Sequence, residues 1–161
     1  MDKQFIFQYE SYASLGEMAE ADRTLVEEAV KATRNAYAPY SKFRVGAALL
    51  LEGGQIVSGS NQENAAYPSG LCAERVAMFF ANAHYPDAKV LRMLIYAETD
   101  KGPVLSPITP CGACRQVLIE KENTQGSPIE VALAGRDSIY VLRDVASLLP
   151  LSFIPDSLKG E

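Results

Sequence analysis

Three cysteines and one glutamate hold the most reactive chemistry in this 161-residue sequence: Cys72, Cys111, Cys114 and Glu74. Cys111 and Cys114 form a CxxC directly behind Pro110, and Cys72 stands two residues before Glu74. A CxxC on its own serves zinc, thiol redox chemistry or neither. Here residues 71–83 and 111–122 read as helices, so all three thiols fall at or near helix N-termini. Backbone amides and the helix dipole favour thiolates there, and thiolates are what zinc requires. Three protein ligands without a fourth match a catalytic zinc site, which keeps one position for water, better than a closed structural one. His84, the one histidine, would reach the cluster only if the chain curled back over three turns. It reads instead as a solvated residue at a helix end. Glu74 is near enough to the cysteines to take a proton from a metal-activated water and deliver it elsewhere. Singly, Glu74 reads as an ordinary first-turn acid and each cysteine as a small buried hydrophobe. The joint C-A-E and P-C-x-x-C pattern is hard to explain that way.

The elements that must position these groups can be traced along the chain. Residues 17–37 read as a helix, with Met18, Ala21, Leu25, Ala29, Ala32 and Ala36 at spacings of three and four. Residues 45–51 and 56–58 are apolar runs separated by Gly53-Gly54, a hairpin signal. Residues 61–70 form a polar loop before the first cysteine helix. Residues 90–97 read as a buried strand, and 100–110, with three prolines, as a loop. After the second cysteine helix, residues 129–134 and 139–142 read as strands and 145–149 as a short helix. The first 12 residues, rich in Phe and Tyr, read as a short strand or a surface arm. Helices alternating with strands in the middle predict an α/β fold with parallel crossovers.

Composition narrows the function. Apolar residues make up 48% and charged residues 22%, as in ordinary globular chains. Fifteen basic against twenty acidic residues give a net charge of −5. No basic patch of the kind that binds polymeric nucleic acid is visible, so a small ligand is the expected partner. No apolar run long enough to span a membrane and no export signal is evident. The reading is therefore of a single domain over residues 1–161, cytoplasmic, without nucleic-acid or membrane partners.

Longer stretches carry a resemblance. Tyr40-Ser41-Lys42-Phe43, Val45-Gly46-Ala47, Asn61-Gln62-Glu63-Asn64-Ala65, Cys72-Ala73-Glu74-Arg75, Cys111-Gly112-Ala113-Cys114-Arg115-Gln116 and Leu148-Leu149-Pro150 together resemble the small, homotetrameric cytidine deaminases. Within the zinc deaminases they match the all-cysteine form of the signature. The likeness spans roughly residues 24–153. It implies a three-layer α-β-α sandwich around a mixed, mostly five-stranded sheet, and one Zn²⁺ per subunit held by Cys72, Cys111 and Cys114. It implies hydrolytic deamination of cytidine and deoxycytidine to uridine and deoxyuridine plus ammonia, a step of pyrimidine salvage, with Glu74 as proton shuttle. By the same likeness Phe43 packs on the pyrimidine, Asn61 and Glu63 hold the ribose, and Ala73 lies against substrate. Arg75 would hydrogen-bond the cysteine sulfurs, offsetting the net −1 of three thiolates on Zn²⁺, and Gln116 would support the zinc helix. Tyr67 and Phe153 would complete the pockets of neighbouring subunits. Two features depart from the pattern. Arg44 stands where the family usually has proline. Residues 1–20 and 84–110 look longer than typical.

Three alternatives share parts of this pattern. A blasticidin-type deaminase has the same motifs. A CxxC thiol oxidoreductase leaves Glu74 and the third cysteine without a role. A non-catalytic zinc-stabilised binding module predicts a closed four-ligand site.

Overall fold

The computed structural model describes residues 1–159. Helix α1 spans Glu20–Thr33, with Glu20 and Asp22 in its first turn, where the dipole favours acids. It ends four residues short of the expected Tyr37. There the chain turns to bond elsewhere: the Tyr37 N–H donates to the Asn61 carbonyl at 3.0 Å, and the Glu63 N–H to the Tyr37 carbonyl at 2.8 Å. Strands β2 (Arg44–Leu51) and β3 (Ile56–Ser60) pair as an antiparallel hairpin. Its turn holds Gly53 and Gly54 at φ +103° and +87°, backbone that a side chain would oppose. Helix α2 (Ala73–His84), strand β4 (Val90–Thr99), the two-residue strand β5 (Gly102–Pro103) and helix α3 (Gly112–Gln125) follow. Strands β6 (Glu130–Ala134) and β7 (Ile139–Leu142) come next. The expected helix near 145–149 is a single 3-10 turn, Ala146–Leu148.

These strands make one mixed sheet in the order β1-β7-β6-β4-β2-β3, with β5 paired to β4. Strand β1 is Glu10–Tyr12, antiparallel to β7. The α/β sandwich expected from the sequence is present, but the sheet has seven strands rather than about five. The two additions, β1 and β5, have three and two residues, too few to show alternation. Only β4 and β6 run parallel, joined through α3.

Alternation along β2 divides the core. Ala48 faces Leu25, Val26 and Ala29 of α1, together with Leu94 and Ala132. Ala47 and Leu49 face the opposite side, where Ala77 and Met78 of α2 and Leu118 and Ile119 of α3 are buried. Side chains two apart share a face, so each strand contributes to both layers. The arm before β1 lies against the sheet, with the Tyr9 ring 4.8 Å from Tyr140 and the Phe7 ring 5.6 Å from Tyr9.

This topology decides where the cysteines go. Helix α2 leads into β4 and α3 leads out of it on the same face, so the two helices begin at the same end of the sheet. Gly59 of β3 sets how closely α2 can lie. A Cβ there would stand 2.6 Å from the Ala77 nitrogen and 2.9 Å from the Ala73 carbonyl oxygen, both backbone atoms that cannot swing away. Gly59→Val is expected to force α2 off the sheet and lower stability by at least about 1–3 kcal/mol, read as a lower denaturation midpoint.

Candidate active site

Cys72 is the residue that caps the start of α2, and Cys111 holds the same place in α3. Cys114 is on the first turn of α3 and fully buried. The Cys72 and Cys111 sulfurs lie 3.7 Å apart, those of Cys111 and Cys114 3.3 Å, and all three within 4.8 Å of one another. Zinc–sulfur bonds of about 2.3 Å at tetrahedral angles place sulfurs roughly 3.8 Å apart. The trio therefore fits a single zinc ion. Among the described residues it is the one His/Cys/Asp/Glu group so arranged. His84 takes no part: its Nδ1 lies 3.0 Å from the Phe80 carbonyl oxygen and its ring stacks on Phe80 at 3.8 Å.

The surroundings favour negative charge on the Cys72 sulfur. The Cys72 thiol is pulled down to about 5, first by a hydrogen bond from the Cys114 thiol and also by the Arg75 guanidinium. Cys114 is pushed up, chiefly because its proton is held by Cys72 and because it is buried. Arg75 Nη2 donates to the Cys72 sulfur at 3.9 Å, a cation where three thiolates on a divalent ion leave negative charge. Arg75→Gln is expected to weaken metal binding about 10–100-fold, measured by competition with a chelator.

Glu74 is 5% exposed. Burial raises its carboxyl above the usual range, and it lies within hydrogen-bonding reach of Cys114. It also lines a cavity of about 810 Å³ together with Cys72, Cys111, Phe43, Asn61 and Glu63. A buried carboxyl that holds its proton nearer neutrality is suited to passing that proton on.

The cavity gathers residues from distant parts of the sequence. Phe43 precedes β2, while Asn61 and Glu63 follow β3. Asn61 spans Arg44, accepting from the Val45 N–H at 2.8 Å and donating to the Phe43 carbonyl at 2.9 Å. The Glu63 carboxylate accepts from the Tyr40 N–H at 3.0 Å and from the Ser41 hydroxyl. Tyr67 is at the rim, 79% exposed. Ala73 points elsewhere: its side chain is in the core, so only its backbone could meet a ligand. Phe153, 59% exposed, is not part of this cavity. Its carbonyl is held by Gln116 Nε2 at 2.8 Å.

Arg44 makes ion pairs to Glu98 at 3.1 Å and Asp100 at 2.7 Å, and a bond to the Thr99 carbonyl at 3.0 Å. These tie the start of β2 to the end of a β4 that runs two residues beyond the expected 90–97. Sequence reasoning missed Tyr40, Ile108 and Thr109 in the cavity wall; the last two directly precede Pro110-Cys111, a proximity that could have flagged them. It also gave no role to Arg115, which bonds the Pro110 carbonyl at 2.8 Å and the Leu148 carbonyl at 2.9 Å.

A sandwich that brings three thiols and a buried glutamate to the starts of two neighbouring helices has the makings of a zinc-dependent deaminase. Comparison with known proteins agrees. Residues 19–125 match the model for the cytidine and deoxycytidylate deaminase zinc-binding region. A cytidine deaminase of Sporosarcina psychrophila is 43% identical over 84% of this chain and 93% of its own. One from Mycobacterium tuberculosis is 43% identical over 83% of this chain and 90% of its own. The crystal structure of the Burkholderia pseudomallei cytidine deaminase superposes with a TM-score of 0.70 at 38% identity, covering 84% of this chain and all of that one. The chain belongs to the cytidine and deoxycytidylate deaminase family, and zinc is the metal its cysteines take. The thiol-oxidoreductase and closed-site alternatives are set aside by that membership.

Proposed function

We propose that this protein hydrolyses the exocyclic amine of cytidine and deoxycytidine, releasing uridine or deoxyuridine and ammonia. The observation that carries this reading is the meeting of Cys72 and Cys111 with Glu74 in one cavity wall, with the buried Cys114 sulfur completing the trio. When bound, zinc supplies a Lewis acid that brings the pKa of water down toward about 7. Glu74 does the proton work. Its carboxylate takes the proton of the attacking water, passes it to N3 of the pyrimidine and then carries one to the departing amino nitrogen. Over the whole reaction a C4–O bond forms, the C4–N4 bond breaks and ammonia leaves.

Phe43 flanks the pyrimidine face, and the Asn61 amide and Glu63 carboxylate hold the sugar hydroxyls. Arg75 offsets the charge of the sulfurs, and Gln116 braces the first turn of α3. The sugar clamp and the acidic net charge favour a free nucleoside over a polymeric nucleic acid. Phe79 and Phe80 on α2, together with Tyr67 and Phe153, leave aromatic surface exposed. This supports a homotetramer in which Tyr67 and Phe153 reach neighbouring pockets. No helix among the described residues is long and apolar enough to cross a membrane, in keeping with a cytoplasmic salvage enzyme. The test is a spectrophotometric assay of cytidine conversion to uridine, with zinc measured on the same preparation. Zinc-loaded protein that leaves cytidine unchanged overturns the reading.

A further inference from the structure

The base wall and the sugar clamp are joined in a closed ring of hydrogen bonds, and one member of that ring has no assigned role. Phe43 is held at both its backbone N–H and its carbonyl. Its N–H donates to the Ser41 hydroxyl at 3.0 Å, and its carbonyl accepts from Asn61 Nδ2 at 2.9 Å. The Ser41 hydroxyl in turn donates to Glu63 Oε1, and the Ser41 N–H reaches Glu63 Oε2 at 3.3 Å. Asn61 and Glu63 are two residues apart on one segment, which closes the ring. Between Ser41 and Phe43, Lys42 has φ +57°, left-handed backbone that a side chain adopts only where its surroundings impose it. Wrapping of residues 40–43 around the Glu63 carboxylate imposes it here.

From this geometry we infer that Ser41 is a positioning residue for nucleoside binding, which fixes the spacing between the wall for the base and the clamp for the sugar. The inference rests on the cytidine reading above. A hydroxyl accepts and donates through one atom, and Ser41 uses both capacities, from Phe43 and toward Glu63. The same bond is the largest influence holding the Glu63 carboxyl below the usual range, which keeps the clamp an acceptor. Ser41 lines the same cavity, but its bonds run to Phe43 and Glu63 and none to Glu74 or the cysteines, so its loss acts on binding while the groups that move protons stay in place.

Ser41→Ala is the test, made on zinc-loaded protein. The KM for cytidine is expected to rise about three- to tenfold, the net worth of one ordinary solvent-accessible hydrogen bond, with kcat within about twofold of wild type. Ser41→Thr keeps the hydroxyl and is expected to restore KM to within about twofold. In a Glu63→Gln background, Ser41→Ala is expected to change KM by less than about twofold, because residues acting through one another are not additive. Amide hydrogen exchange at Phe43, measured without substrate, is expected to quicken about tenfold or more in Ser41→Ala as its acceptor disappears. An unaltered KM, an equal cost in the Glu63→Gln background, a Thr variant as impaired as the Ala variant, or unaltered Phe43 exchange each overturns the inference. Wild-type protein that does not convert cytidine sinks the substrate assignment instead, and Phe43 exchange then still decides the role of Ser41.

Discussion

Glu74→Gln is expected to bind zinc and fold normally while losing roughly a thousandfold or more in kcat for cytidine. Glutamine has the same shape and keeps a polar tip in the same place, but it cannot take up a proton and release it again. In the proposed reaction both proton deliveries, to N3 and to the leaving nitrogen, pass through this one carboxyl. General acid–base groups typically contribute about 10²–10⁴-fold for a single role, and here one group fills two. Stability is not expected to suffer, because burial disfavours the charged carboxylate and a neutral amide removes that penalty. Saturating-substrate turnover, zinc content and a melting curve on the same sample separate these effects. Near-normal turnover in zinc-replete Glu74→Gln would end the proposed proton route.

The second large effect concerns the metal. Cys114→Ala removes the one fully buried sulfur of the trio and leaves two ligands, too few to hold zinc against dialysis. Zinc content is expected to fall below about a tenth of an equivalent, and turnover with it. The melting temperature is expected to fall as well, since an ion that binds only the folded chain stabilises it. A strong chelator acting on wild-type protein is expected to reproduce both losses, with zinc reversing them. A Cys114→Ala protein that still held stoichiometric zinc would show that another residue completes the site.

How much of this could be read from the chain follows from the range of the interactions involved. The meeting of the three cysteines, with Glu74 in the same cavity wall, was legible because each half of the cluster is a short local motif placed at a helix start. The β2–β3 hairpin was legible because Gly53-Gly54 marks its turn. The end of α1 was not, because Tyr37 leaves the helix to pair with a segment some 25 residues on, and no local pattern shows that. Strand β1 exists only because β7 offers it an edge. The same holds inside the site. Asn61 and Glu63 stood out by family likeness, but their hold on Phe43 and on residues 40–41 depends on two chain segments meeting. Nothing in the sequence marks the reach of Arg115 to the Pro110 and Leu148 carbonyls, which depends on chain segments meeting.

Cys72 and Cys111 are separated by 39 residues, and the whole of β4 runs between them. A zinc ion shared by the two works as a removable clip across that span, closing a loop of a size whose entropy is costly to lose. Synthesis from the N-terminus supplies its ligands in order: one sulfur with α2 and the other two with α3, after the whole of β4. A site whose sulfurs come from the starts of both α2 and α3 is complete only where those two helix starts stand side by side, so full three-sulfur coordination depends on the order of the sheet's middle strands.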